Sequence, residues 1–170
     1  MKSLCDEIHQ RWMKSLAFRQ GRRGKHYMKE VTLYTDGACR GNPGPGGWGA
    51  ILVYRGIEKE LSGGEPSTTN NRMELMAVIS GLSALRETCR VLVYSDSKYV
   101  VDAMTLGWAK QWQATNWKNG KAKNPDLWEQ LLGLCNRHEV TFSWVKGHDG
   151  HEMNERCDTL ATTEADKYNR

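Results

Sequence analysis

At 170 residues, with 39% apolar and 26% charged side chains and a net charge of +4, the chain has the size and composition of one domain with its own core. Seven Trp and six Tyr argue against disorder, and no apolar run is long enough to cross a bilayer. Five scattered cysteines without a CxxC pair argue against a disulfide framework or zinc finger, and fit a reducing, cytoplasmic compartment.

The charge is uneven. Residues 1–30 hold eight bases against three acids, a net of +5, whereas the rest of the chain is near neutral. Within residues 1–27, Leu4, Ile8, Trp12 and Leu16 recur every fourth position, which predicts an amphipathic helix in a basic extension. The polar, Gly-broken stretch Arg19–Lys25 reads as a linker, and no apolar segment suits a secretory signal. A solvated tail, an auxiliary nucleic-acid contact and, with less support given the acids at 6 and 7, an organelle-targeting peptide are the readings of this extension, and Met28 is an alternative start for the compact part.

From Glu30 the pattern changes. Val31, Leu33 and Thr35 alternate with Thr32, Tyr34 and Asp36, which predicts a strand ending at Asp36. Gly47–Tyr54 predicts a second strand with Trp48, Ala50, Leu52 and Tyr54 on one face, and Ile57–Leu61 a third, so an antiparallel meander is expected. Residues 62–67 read as a loop. Thr69 or Asn70 caps a helix to about Arg86, with Glu74, Ala77, Val78, Gly81 and Leu85 on its inward face. Gly81 costs about 1 kcal/mol in a helix, which close packing on the sheet would justify. Val91–Asp96 has the near-continuous apolar character of a central strand. Helices over 97–104 and 107–117 follow, then a polar segment. A helix over 125–137 comes next, with Asn124 as its cap and Pro125 at its first position. Val140, Phe142 and Trp144 alternate in a last strand, and a closing helix spans about 152–164. The order predicts an α/β fold, a mixed sheet with helices over its faces.

Asp36, Glu74, Asp96 and Asp158 stand beside apolar positions of four different elements, where an uncompensated carboxylate is costly. Such an oxygen-rich set suits Mg²⁺ or Mn²⁺. A pair of such ions is suited to phosphodiester hydrolysis. Asn154 lies one turn before Asp158 on the same face. Each acid has a plainer reading: Glu74 on a solvated face, Asp96 as a helix cap, Asp158 as a surface acid beside Glu152 and Glu155. Periodicity leaves Asp158 open between the two. The Gly-rich turn after Asp36 lacks the Gly-Lys-Ser/Thr ending of a P-loop. Its glycines either make a tight strand connection or let a nucleic-acid backbone approach.

Four blocks in order, Tyr34–Gly49, Thr68–Ala77, Tyr94–Val100 and Val145–Ala161, resemble bacterial-type (type 1) ribonuclease H. The resemblance covers about Met28 to Thr163, and it implies a catalytic domain at 28–165 followed by a short tail at 166–170. It also implies a five-stranded ribonuclease H-like sheet: an antiparallel three-strand meander plus parallel strands, flanked by helices. The implied activity is endonucleolytic hydrolysis of the RNA strand of an RNA–DNA hybrid, leaving 5′-phosphate and 3′-hydroxyl ends. Asp36, Glu74, Asp96 and Asp158 match the four metal-coordinating acids, holding two Mg²⁺ ions (or Mn²⁺) with substrate bound. His148 matches a loop histidine that assists proton transfer, a role suited to an imidazole near neutral pH, whereas His151 reads as a bland loop residue.

By the same resemblance, Thr69 and Asn71 match residues that hold a DNA-strand phosphate and the minor groove, with Asn42 and Asn70 as further groove candidates. Cys39 falls at a substrate-contact position and Asn154 at one that orients the site. Lys98 stands where the family pattern has Gln, so a contact to the RNA that is either ionic or rearranged is expected. Residues 107–124 resemble a basic protrusion in which Trp108, Trp112 and Trp117 interleave with Lys110, Lys118, Lys121 and Lys123. At least two of these Trp are expected to pack as a subcore, with the lysines facing hybrid phosphates. A monomer with no membrane contact is expected. A catalytically weak hybrid-binding module and a related structure-selective nuclease are the competing functions.

Overall fold

The computed structural model describes residues 27–169; the expected amphipathic helix and linker of the extension lie outside them. Five strands form one sheet in the order β3-β2-β1-β4-β5. They are β1 (Lys29–Cys39), β2 (Gly44–Tyr54), β3 (Ile57–Thr68), β4 (Cys89–Ser95) and β5 (Glu139–Trp144). The first three make the expected antiparallel meander, and β4 and β5 add in parallel. The helices are α1 (Asn70–Ser83), α2 (Lys98–Thr105), α3 (Trp108–Ala114), the short α4 (Asn116–Gly120), α5 (Pro125–Arg137) and α6 (Glu152–Asp166).

The core lies between α1 and α5 and one face of the sheet. Leu33, Leu52 and Val93 from the strands meet Leu75, Val78 and Leu82 from α1 and Trp128 and Leu131 from α5. Each such large side chain contributes about 1.5–3 kcal/mol through burial. A Cβ at Gly81 would stand 2.5 Å from Leu33 Cδ1, so α1 reaches the sheet because that position has no side chain. Helix α6 covers the opposite face over β1, β2 and β3.

Three expectations need correction. Residues 62–67 are not a loop: β3 runs to Thr68 and pairs with β2 through Gly63–Trp48 and Gly64–Gly47. Pro66 is tolerated because β3 is an edge strand with a bulge where it pairs near Gly44 and Gly46. The helix predicted over 107–117 stops at Ala114. The chain then takes left-handed φ from Asn116 to Gly120, which breaks the right-handed ladder. Asn124 does not cap α5 with its side chain; its own φ is +57°, and its amide faces Arg72 and Tyr99 instead.

Candidate metal and nucleic-acid site

Strand β1 carries Asp36 to a divergence in the sheet. Parallel pairing with β4 ends at Thr35–Ser95, while antiparallel pairing with β2 continues through Asp36–Gly49. The acid sits inside β1 and not at its end as expected, because the Gly-rich segment after it stays extended against β2. Asp96 follows directly after β4 at the same end of the sheet, where Ser97, and not Asp96, caps α2 by accepting from Val100 N. Helix α1 begins at the Thr69 cap, whose Oγ1 accepts from Arg72 N, and turns Glu74 inward toward β1.

These three acids converge: one carboxylate oxygen from each of Asp36, Glu74 and Asp96 lies within 4.8 Å of the other two. Asp36 and Glu74 are each only 4% exposed. Burial, then the neighbouring Asp96 charge, pushes the Asp36 carboxyl up to about 8. Burial and the Asp36 charge likewise hold the Glu74 carboxyl well above the ordinary range, and Asp96 is raised mainly by burial. Hydrogen bonds oppose this: the Gly37 N–H, 2.8 Å from Asp36 Oδ1, favours the charged forms of Asp36 and Glu74, and the Asp36 side chain and the Asp96 backbone favour ionised Asp96. Glu74 Oε2 is fully buried with no hydrogen-bond partner. An orphaned carboxyl oxygen in a trio of hard oxygen donors fits a divalent cation, which would lower all three proton affinities together.

Asp158 of α6 and His148 of the β5–α6 loop line the same cavity of about 580 Å³ as the trio, with Cys39 and Asn70. Asp158 stands outside the tight group, yet its charge raises both Asp36 and Asp96. His148 takes a left-handed φ of +54°. Asn154 is buried one turn before Asp158, with its side-chain nitrogen unpartnered. His151, expected to be bland, caps α6, its Nδ1 accepting from Asn154 N. Arg40, Ser97 and Thr162 also line the cavity. No periodicity singled them out, although Arg40 beside Cys39 could have been noticed as a cation next to acids.

The other expected contact residues form a rim. Asn42 Oδ1 accepts from Asn70 N at 3.2 Å, tying the β1–β2 turn to the start of α1. The Cys39 thiol donates toward Gly44 O and Thr68 O, and burial raises its proton affinity. Asn71 and Lys98 are exposed, and Thr69 is half-buried. Lys118, Lys121 and Lys123 are exposed on the protrusion and do not line the cavity. Trp112 and Trp117 pack against the core, Trp112 edge-on to Trp128 at 5.7 Å, while Trp108 is largely exposed. Two of the three Trp therefore belong to the packing, as expected.

The chain is 59% identical over 145 residues to a ribonuclease H of Desulforamulus reducens, covering 84% of this chain and 91% of that protein. It is 60% identical over 144 residues to a ribonuclease H of Rippkaea orientalis, covering 83% and 88%. Among solved structures, LC9-RNase H1, a type 1 RNase H with the type 2 active-site motif, superposes with a TM-score of 0.77 at 35% identity. That match covers 85% of this chain and 76% of that one. LC11-RNase H1 in complex with an RNA/DNA hybrid superposes with a TM-score of 0.63 at 28% identity, covering 82% and 99%. The RNase H family model matches residues 28–166, and with relatives this similar over most of their length the chain belongs to the RNase H family.

Proposed function

We propose that this protein is a ribonuclease H that hydrolyses the RNA strand of RNA–DNA hybrids endonucleolytically, leaving 5′-phosphate and 3′-hydroxyl ends. The observation that carries the reading is the trio Asp36, Glu74 and Asp96, the first two buried and one Glu74 oxygen orphaned, in a chain 59% identical over 145 residues to a ribonuclease H. Such a trio repels phosphate when bare, so a module that only bound nucleic acid would be hindered by it.

Bound Mg²⁺ would supply charge neutralisation for the phosphodiester and an activated water. Asp36, Glu74 and Asp96 would hold it, with Asp158 completing the set from α6. His148, on the cavity wall, would move a proton at the water or the leaving oxygen. Asn154 would orient Asp158 through their shared helix face. Thr69, Asn70, Asn71, Asn42 and Cys39 would seat the duplex along the α1 start and the β1–β2 turn. Lys98 and the protrusion lysines Lys118, Lys121 and Lys123 would meet backbone phosphates. The 2′-hydroxyl and the groove shape distinguish the RNA strand.

The test is cleavage of labelled RNA–DNA, RNA–RNA and DNA–DNA duplexes with Mg²⁺ or with chelator, by the wild type and Asp36→Asn. Selective hybrid cutting that both chelation and D36N abolish is expected. Hybrid cutting that survives either one would overturn the metal assignment, and binding without cutting would favour the weak-module alternative.

A further inference from the structure

Lys98 opens α2 two residues after Asp96. A flexible, exposed ammonium so close to three clustered carboxylates should be drawn onto them, since opposite charges attract strongly where water is scarce. Among the described residues Lys98 makes no ion pair with any of the three. Its Nζ instead lies 5.0 Å from the ring centroid of Trp144, an exposed indole at the end of β5. That indole is not free to drift: its Nε1–H donates to the backbone carbonyl of Asp96 at 2.9 Å. The ring is therefore fixed to the main chain of one of the cluster acids, and its face receives the cation next door.

We propose that Trp144 is a positioning residue that parks the Lys98 ammonium outside the carboxylate cluster, keeping the metal ligands clear and the cation ready for a nucleic-acid backbone phosphate. The idea rests on the nuclease reading above. A lysine inside the cluster would compete with a divalent cation for the same oxygens. A cation–π contact at an exposed site is strong enough to bias a flexible side chain and weak enough to yield to a phosphate. The sheet supplies the geometry. Strand β5 runs parallel to β4, so its last residue, Trp144, arrives opposite Ser95, beside the start of α2.

Two measurements made without turnover decide it. The first is Mn²⁺ binding to hybrid-free protein, counted from the free-ion EPR signal, in wild type, Lys98→Gln, Trp144→Leu, Trp144→Phe and the K98Q/W144L double variant. W144L should weaken Mn²⁺ binding about 2- to 5-fold, the equivalent of one exposed cation–π contact. W144F, which keeps an aromatic face, should weaken it less. K98Q/W144L should return to at least wild-type affinity, because the competing cation is gone. A general disturbance of the Asp96 backbone would not be rescued by K98Q, so an unrescued loss, or no loss in W144L, overturns the parking.

The second measurement is hybrid affinity across salt in chelator. K98Q should lower the logarithmic salt slope by about 0.9, one phosphate contact on a duplex. An unchanged slope rejects that contact. Should the wild type fail to cut hybrid at all, the functional reading falls, while these two results still decide the placement of Lys98.

Discussion

Gly37 lies directly against the backbone of Glu74: a Cβ at position 37 would stand 2.4 Å from Glu74 N and 2.6 Å from the Met73 carbonyl carbon. The side chain missing from β1 is what lets the first turn of α1 close on the strand, and that closure delivers Glu74 to Asp36. Gly37→Ala must push backbone against backbone, with no flexible side chain to give way. We expect a loss of stability of about 1–3 kcal/mol from overpacking. Hybrid cleavage should fall by about 100-fold or more, because a displacement near 1 Å at a catalytic group has that effect. Wild-type activity in a G37A protein with an unchanged denaturation midpoint would refute the close-approach account.

The carboxylate trio makes metal-free stability depend on pH with a definite sign. The Asp36 carboxyl, raised to about 8 by burial and Asp96, binds a proton that the unfolded chain releases near about 4. Its favourable contribution is complete below about pH 4 and is lost as pH rises toward 8. An isolated shift of this size is worth at most about 6 kcal/mol, and sharing of protons within the trio reduces it. In chelator, Asp36→Asn should therefore gain about 1–3 kcal/mol over wild type at pH 8 and little at pH 4.5. Paired denaturant curves at the two pH values measure this. A D36N advantage that fails to grow with pH would contradict the raised carboxyl.

Cys39 is placed as a packed thiol. Its Sγ is directed at two backbone carbonyls, each 3.4 Å away, and burial keeps it protonated. Cys39→Ser should cleave hybrid within about 3-fold of wild type, since a protonated thiol is a poor nucleophile. A loss of two orders of magnitude in a folded C39S protein would mean that the sulfur takes part in the chemistry.

The protrusion presents Lys118, Lys121 and Lys123 to solvent, and no acid occurs between Asp102 and Asp126. Lys118 sits 5.5 Å over the Trp112 ring, which is itself packed on Trp128, so the cation is supported from below. Replacing all three lysines with Gln should reduce the salt slope of hybrid binding by about 2–3, at about 0.9 per phosphate contact. Filter binding over a range of KCl concentrations reads the slope directly. A slope equal to wild type would remove these lysines from the interface.

Much of the fold was readable because local periodicity reports burial. The alternation over Val31–Asp36, the apolar Val91–Ser95 run and the inward stripe of Glu74, Ala77, Val78 and Gly81 each became the expected element. Reading failed where the chain takes conformations that periodicity does not encode. The edge strand β3 continues through Gly63, Gly64 and Pro66 because β2 pairs with it, and a Gly/Pro run gives no sign of a partner. The left-handed turn at Asn116–Gly120 follows no periodic pattern, and the side chain of Asn124 is settled by Arg72 of α1 and Tyr99 of α2, far apart in sequence.

The amino-acid sequence by itself determined the residue types of the site and its family: hard-oxygen donors on four elements and four ordered blocks of matching residues. Only the tertiary structure decided which acids meet. Asp36, Glu74 and Asp96 close to within 4.8 Å because β1 and β4 are adjacent in the sheet and Gly37 lets α1 approach. Asp158, on α6 against the opposite face, stays just outside that group. Likewise, nothing in the sequence around Lys98 names Trp144, 46 positions on; the parallel pairing of β5 with β4 brings them together. Composition selects the chemistry available, and long-range strand pairing, which no local window contains, sets the distances at which it operates.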